Sequence, residues 1–89
     1  MKYILEYSIK AQKQLEDLPD QEASRIVKKL DYFCKLTNPL VESKPMAGEF
    51  NGCYRFRIGK FRVIFSIDDK GEFQILLVLK VGKRSEIYR

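Results

Sequence analysis

Residues 53–67 read Cys-Tyr-Arg-Phe-Arg-Ile-Gly-Lys-Phe-Arg-Val-Ile-Phe-Ser-Ile, and this stretch decides the fold of the chain. Apolar and basic residues alternate on both sides of Gly59-Lys60, which predicts a β-hairpin with a type II′ turn and a positive φ at Gly59. This turn sets Arg57 opposite Arg62. Because opposed residues share a face, one face carries Arg55, Arg57 and Arg62. The other face carries the apolar residues Tyr54, Phe56, Ile58, Phe61, Val63 and Phe65.

The arginine face of this hairpin needs an explanation, because like charges opposed across a strand pair are destabilising. For any single arginine, a solvated sheet face is the simpler interpretation. However, residues 53–67 contain no acidic residue to balance the three arginines. A planar guanidinium fork is well suited to phosphate, so three arginines converging without a carboxylate favour a phosphate-binding face.

The overall composition is that of one folded domain spanning residues 1–89. Hydrophobic residues make up 45% of the chain and charged residues 33%, which is typical of a folded protein rather than a disordered one. The formal net charge of +5 predicts an anionic partner, with nucleic acid first and an acidic protein segment second.

Several functional classes are excluded by the residues that are missing. The chain has no histidine, and Cys34 and Cys53 lie far apart, so no metal site or cofactor is expected and the cysteines are interpreted as small apolar residues. No Gly-rich phosphate loop and no paired carboxylates are present. The N-terminus lacks a signal-peptide core, and the longest aliphatic run, 75–79, is too short to span a membrane. A cytoplasmic protein in a reducing compartment is therefore expected.

The first half of the chain is predicted to be a strand followed by a helical hairpin. Residues 2–7 favour a short strand. Ser8 is the expected cap of a helix at 9–18, and Asp20 that of a helix at 20–36, in which apolar positions follow one helical face. Both apolar stripes are expected to pack on one face of a sheet.

The second half is predicted to be β-structure. Residues 37–52 form a loop with an extended piece at 44–47, and a turn at 68–71 precedes a strand at 72–80 whose continuous apolar middle suits the interior of a sheet. A bend at Gly82 then opens the C-terminal tail. The fold class is therefore α+β, in the order β-α-α-β-β-β, with the two N-terminal helices packed on one face of a small, mainly antiparallel sheet.

Fixed arginines without a histidine are suited to the cleavage of RNA. RNA carries its own nucleophile, the 2′-hydroxyl, so a protein contributes by aligning the strand and by stabilising charge at phosphorus. The hairpin arginines are expected to supply that charge, and Arg84 and Tyr88 of the tail are expected to close the site, with Tyr88 stacking on a base or contacting phosphate. Five further cations are candidate RNA contacts: Lys60, Lys83, Arg25, Lys28 and Lys29. For the last three, on the second helix, a solvated face is the simpler interpretation.

Two segments carry a resemblance to a known family. Residues 54–65, Tyr-Arg-Phe-Arg-Ile-Gly-Lys-Phe-Arg-Val-Ile-Phe, and 81–89, Val-Gly-Lys-Arg-Ser-Glu-Ile-Tyr-Arg, resemble the RelE/ParE superfamily of toxin–antitoxin toxins, and the RelE-like branch is the closer match. The sequence Met46-Ala47-Gly48 is similar to a short Leu-x-Gly element that precedes the hairpin in this family. The resemblance covers nearly the whole chain, and the hairpin and tail are its most specific parts.

The resemblance implies a ribosome-dependent endoribonuclease that cuts mRNA in the ribosomal A site. It also implies an acidic antitoxin partner, which is expected to cover the arginine face or to displace the tail. The family's catalytic residues match Arg55, Arg57, Arg62, Arg84 and Tyr88. Many relatives carry a histidine where this chain has Lys83, and lysines on the second strand where it has arginines. Because arginine does not lose its proton, Lys60 and Lys83 become the candidates for the general base.

Two other interpretations remain open. A ParE-like or catalytically degenerate member would act by binding, to gyrase or another target. A basic binding module would hold nucleic acid through the same arginines without toxicity. A neighbouring gene for an acidic, helix-rich protein would separate both toxin interpretations from this last one.

Overall fold

The computed structural model describes residues 2–83, which form two helices and a five-stranded sheet. Short 3₁₀ turns at Pro39–Glu42 and Gly48–Phe50 flank the second strand. In chain order the elements are β1 (Lys2–Tyr7), α1 (Ile9–Glu16), α2 (Asp20–Cys34), β2 (Ser43–Pro45), β3 (Tyr54–Ile58), β4 (Phe61–Asp69) and β5 (Phe73–Lys83).

The sheet confirms the predicted α+β class. Its strand order is β1-β5-β4-β3-β2, with β1 parallel to β5 and every other neighbouring pair antiparallel. The chain crosses from β1 through both helices to the far edge at β2, and then returns by hairpins until β5 lies beside β1. β5, the strand with the continuous apolar middle, therefore has a neighbour on each side, as its sequence predicts.

The core lies between the helices and one face of the sheet. Ile26, Leu30 and Phe33 of α2 are buried against the apolar face of the β3–β4 hairpin. The Phe33 and Phe56 rings stack with their centroids 4.1 Å apart, and the Phe56 and Phe65 rings stack at the same distance. This aromatic column fixes the hairpin to α2, so the opposite face of the hairpin points away from the helices.

The helix starts follow different rules. Ser8 caps α1 as predicted, because its Oγ accepts a hydrogen bond of 3.0 Å from the Ala11 amide. The prediction that Asp20 caps α2 is wrong: Asp20 is the first helical residue, and Pro19 occupies the cap position without a side-chain bond. Pro19 suits this position because its extended ψ of 144° leads the chain into the helix. Asp20 instead places its charge in the first turn, where the helix dipole favours it.

The last strand continues beyond its predicted end at residue 80 and runs to Lys83. The predicted bend at Gly82 is wrong, since Gly82 is a buried strand residue opposite Arg62. The register shifts once, so that Val78 pairs with Phe65 while Lys80 pairs with Ile64. This bulge lets Val78 and Val81, three residues apart, both face the core.

A polar group is buried where the end of β1 meets α2. The Tyr7 hydroxyl is buried and has no hydrogen-bond partner among residues 2–83. Burial, and secondarily the Asp31 carboxylate, raise the pKa of Tyr7 to about 12 and that of the free Cys34 thiol to about 11.

Neither helix in residues 2–83 is long and apolar enough to cross a membrane.

Candidate nucleic-acid interface

The β3–β4 hairpin has the register that its sequence predicts. Arg57 pairs with Arg62, Phe56 with Val63 and Arg55 with Ile64. Gly59 has a φ of 59°, whereas Lys60 does not have a positive φ, since no residue other than glycine among 2–83 has one. A type II′ turn with Gly59 in the first central position and Lys60 in the second requires this combination. The three arginines therefore share one face of the sheet, opposite to the face that packs on the helices.

These arginines line one depression with a volume of about 120 Å³. Two further residues line it, Glu42 and Lys44, which come from the segment that precedes the hairpin. Lys44 lies on β2 directly opposite Arg55, so it extends the row of cations across a third strand. Together, Lys44, Arg55, Arg57 and Arg62 form the arginine face of the molecule.

Arg62 is the most unusual residue of this face. Its side chain is only 6% exposed, its Nε has no hydrogen-bond acceptor, and no carboxylate within residues 2–83 forms an ion pair with it. Burying a charge without a partner costs on the order of several kcal/mol. Arg57, its cross-strand neighbour, is exposed and likewise makes no ion pair in the described part of the chain. The pair therefore presents donors that an anion would satisfy.

Glu42 corrects the prediction of an arginine cluster without a carboxylate. That prediction is wrong because it considers only residues near in sequence. The strand β2 pairs with β3 in the order Ser43 to Phe56, Lys44 to Arg55 and Pro45 to Tyr54, and this pairing brings Glu42 to the rim of the depression. The extended piece predicted at 44–47 is the sequence signal for Lys44, but it does not identify the partner strand.

The two lysines considered as general bases lie elsewhere. Lys83 pairs with Phe61, a core residue, so the register places Lys83 on the helix side of the sheet. The Lys60 Nζ lies 3.0 Å from a carboxylate oxygen of Glu22 on α2. Both lysines line a cleft of about 520 Å³ that also includes Asp17, and neither lines the arginine depression.

The cations of α2 form a separate surface. Arg25, Lys28 and Lys29 are exposed and line a shallow groove of about 610 Å³ together with Tyr32. The Lys29 Nζ lies 5.0 Å from the centre of the Tyr32 ring, within cation–π range. Because α2 packs on the opposite face of the sheet, this groove is not continuous with the arginine depression. Arg84 and Tyr88, the predicted tail members of the site, lie outside the described residues.

Comparisons with known proteins identify relatives along the whole chain. Residues 5–88 match the family model described as the ParE toxin of the type II toxin–antitoxin system parDE. Toxin RelG of Mycobacterium tuberculosis strain H37Rv is 31% identical over 89 residues, which cover 100% of this chain and 99% of that protein.

Solved structures contain chains that have the same fold as this chain. The toxin–antitoxin complex RelBE2 of Mycobacterium tuberculosis contains a chain that superposes with a TM-score of 0.80 at 26% identity, covering 94% of this chain and 100% of that one. The archaeal RelE–RelB complex of Pyrococcus horikoshii OT3 contains a chain with a TM-score of 0.69 at 24% identity, covering 97% and 99% respectively. The second of these supports the fold alone.

Proposed function

The chain belongs to the RelE/ParE superfamily of type II toxin–antitoxin toxins, and we propose that it is a ribosome-dependent endoribonuclease that cleaves mRNA. The observation that carries this proposal is the buried Arg62, which forms no ion pair within residues 2–83 and lies at a depression lined by three further cations. An RNA phosphate is an anion whose oxygens accept hydrogen bonds from guanidinium and ammonium donors of this kind.

The proposed reaction is attack of the 2′-hydroxyl on the adjacent phosphorus. The O2′–P bond forms, the P–O5′ bond breaks, and the products are a 2′,3′-cyclic phosphate and a free 5′-hydroxyl. Arg62 and Arg57 stabilise the charge that develops on the non-bridging oxygens, while Arg55 and Lys44 hold the flanking backbone. Arg84 and Tyr88 complete the proposed catalytic set, with Tyr88 stacking on a base.

The ribosome supplies what this small surface lacks. The depression has a volume of about 120 Å³, room for one phosphate rather than for a run of bases, so we assign the alignment of the mRNA to the ribosome. An mRNA codon bound to the ribosome is already held in place by the ribosome. We assign the α2 cations Arg25, Lys28 and Lys29, with Lys60 and Lys83 of the opposite cleft, to secondary contacts with RNA backbone.

An acidic antitoxin is the proposed inhibitor. The relatives named above include chains solved in toxin–antitoxin complexes, and this chain carries a net charge of +5. An acidic segment laid over the arginine face would satisfy the same donors as RNA phosphate and so exclude it. The expected compartment of both partners is the cytoplasm, where mRNA is translated.

A second candidate, action by binding to gyrase without cleavage, has one observation in its favour. The matching family model is that of the ParE toxin, and the three hairpin cations are arginines, which cannot act as proton acceptors. Such a toxin would cause DNA damage in cells while leaving translation intact.

The deciding experiment adds purified, antitoxin-free protein to ribosomes programmed with a defined mRNA. We expect one cut in the A-site codon, and no cut when the scissile nucleotide is 2′-deoxy. Arg62→Ala and Arg84→Ala should each lower the cleavage rate by more than tenfold. Intact mRNA at saturating protein, together with inhibition of gyrase supercoiling, would contradict the proposal and support the second candidate.

A further inference from the structure

We propose that Glu42 is the general base of this site, which takes the proton from the attacking 2′-hydroxyl. This role rests on the proposed function and names a group that the family resemblance does not supply. The carboxylate reaches the arginine face only because β2 pairs with β3, so no local motif in the sequence marks it.

Elimination among the residues of the depression points to Glu42. The depression is lined by Glu42, Lys44, Arg55, Arg57 and Arg62. Arginine stays protonated in proteins, and a lysine is a proton acceptor only after it has lost its own proton. A carboxylate has acceptor oxygens whenever it is ionised. Among the lining residues that the structure describes, 2–83, Glu42 is therefore the one that accepts a proton in its ordinary ionised form.

The Glu42 carboxylate is also available. It forms no hydrogen bond and no ion pair within residues 2–83, although it lines the same depression as four cations. Extending the β2–β3 register by one residue places Glu42 opposite Arg57. A phosphate held by the arginines would lie within the space that Glu42 borders, so the adjacent 2′-hydroxyl and this carboxylate share one small volume.

The backbone that carries Glu42 is anchored on both sides. Pro39 is fully buried, and the Asn38 Oδ1 accepts a hydrogen bond of 3.1 Å from the Leu40 amide. The Ser43 Oγ donates to the Leu40 carbonyl at 2.8 Å, which closes the 3₁₀ turn directly before β2. These contacts fix the backbone from which the Glu42 side chain extends ahead of binding, which favours its role as a proton acceptor.

The proton balance of the step is complete. The 2′-hydroxyl proton passes to a Glu42 carboxylate oxygen as the O2′–P bond forms. The 5′ oxygen leaves with the electron pair of the P–O5′ bond and takes a proton from water. Glu42 then loses its proton to solvent, which it reaches because its side chain is exposed. No metal or other co-reactant is needed.

A structural interpretation of Glu42 makes the opposite prediction. If the carboxylate only screens the repulsion among the arginines, its removal makes the site more positive, and RNA should bind more tightly and be cleaved at least as fast. If Glu42 is the base, its removal should leave RNA affinity unchanged or higher while the cleavage rate constant falls. The sign of the change in rate therefore separates the two roles.

The test measures single-turnover cleavage of ribosome-bound mRNA at saturating protein, with RNA affinity measured separately. Glu42→Gln should lower the rate constant by about 100-fold, the lower end of the range for general bases, and Glu42→Asp should recover part of it. Glu49→Gln is the matched control, since Glu49 is an exposed carboxylate on the next 3₁₀ turn that does not line the depression. It should cleave like the wild type.

A second substrate distinguishes a base from an acid. An mRNA with sulfur in place of the bridging 5′ oxygen has a leaving group that needs no proton. The 100-fold deficit of Glu42→Gln should persist with this substrate, and its disappearance would overturn the assignment as base. Equal rates for the wild type and Glu42→Gln on normal mRNA would also overturn it while leaving the proposed function intact. A wild-type protein that cuts no mRNA overturns both.

Discussion

The two faces of the β3–β4 hairpin come from the same residues in alternation, yet they differ in how their groups are satisfied. On the helix side, Phe56, Val63 and Phe65 are fully buried, and the rings stack at 4.1 Å on one another and on Phe33. On the other side, Arg62 is almost as deeply buried but has no acceptor for its Nε in the described part of the chain. The helix-side face is packed by contacts within the described chain, whereas the other face keeps a buried hydrogen-bond donor that has no acceptor there.

This difference between the two faces indicates which of them is the candidate functional surface. A packed aromatic column stabilises the fold and needs no ligand. A buried guanidinium that forms no ion pair among residues 2–83 lowers stability, and we infer that a partner outside the chain supplies the compensating negative charge. The core face therefore positions the arginine face, and we propose that the arginine face carries the activity. Substitutions on the two faces should separate stability from activity.

The largest effect on stability is expected from Phe56→Ala. The change removes the middle ring of the aromatic column, so the free energy of unfolding should fall by about 3–5 kcal/mol. Urea unfolding of the antitoxin-free protein measures it. Arg57→Ala, one residue further along the same strand and exposed on the opposite face, is the control and should change stability by less than about 0.5 kcal/mol. Similar losses in the two variants would contradict the division between the faces.

Arg62→Met should reverse this pattern. It replaces a buried, unpartnered charge by an apolar chain of similar length, so the free energy of unfolding should stay equal or rise, while mRNA cleavage falls about 100-fold. Thermal unfolding and the ribosome cleavage assay, performed on the same preparation, measure both. A loss of more than about 1 kcal/mol in stability would show that Arg62 supports the fold instead.

A smaller effect is expected from Arg57→Gln. Loss of one exposed phosphate contact should weaken RNA binding about tenfold and reduce the slope of log affinity against log salt concentration by about 0.7 to 1. Lys10→Gln, which removes another exposed cation, from α1, is the charge-matched control. If the two variants lost the same affinity, net charge rather than the arginine face would determine binding.

The smallest effect concerns alkaline stability, far from the arginine face. Burial and Asp31 raise the pKa of Cys34 from 9.0 to about 11 and that of Tyr7 from 10.0 to about 12. The folded protein thus keeps protons that the unfolded chain releases, so stability should fall as pH rises from about 9 towards 12. Cys34→Ala should lose less stability than the wild type between about pH 8 and 10.5, as urea unfolding would show. Parallel losses would contradict the buried-thiol assignment.

The parts of the fold that the sequence predicts are those in which local pattern and tertiary packing agree. The hairpin register follows from alternation and one glycine, so the sequence alone assigns Arg55, Arg57 and Arg62 to one face. The cap at Ser8 is also a local feature. By contrast, the preference of aspartate for N-cap positions predicts Asp20 as the cap of α2. In the structure Pro19, whose φ is restricted by its ring, occupies the cap position instead.

The candidate site is incomplete in the sequence for a different reason. Glu42 and Lys44 join the arginines through pairing between β2 and β3, and no short-range pattern specifies the register of a three-residue edge strand that contains a proline. At Gly82 the preference of glycine for turns predicts a bend, but pairing with Arg62 keeps the residue in β5. Long-range pairing, rather than composition, decides the place of these residues.

The claim that the arginine face binds RNA phosphate is tested most directly at Arg62 itself. The measurement is the ¹⁵N–¹H resonance of the Arg62 Nε–H group, followed by NMR while a short RNA oligonucleotide is added to millimolar concentration. Because this donor has no acceptor in the described chain, we predict a saturable shift and slowed exchange with water, both absent with a neutral oligomer that lacks phosphate. A resonance that stays unchanged at saturating RNA would contradict the claim.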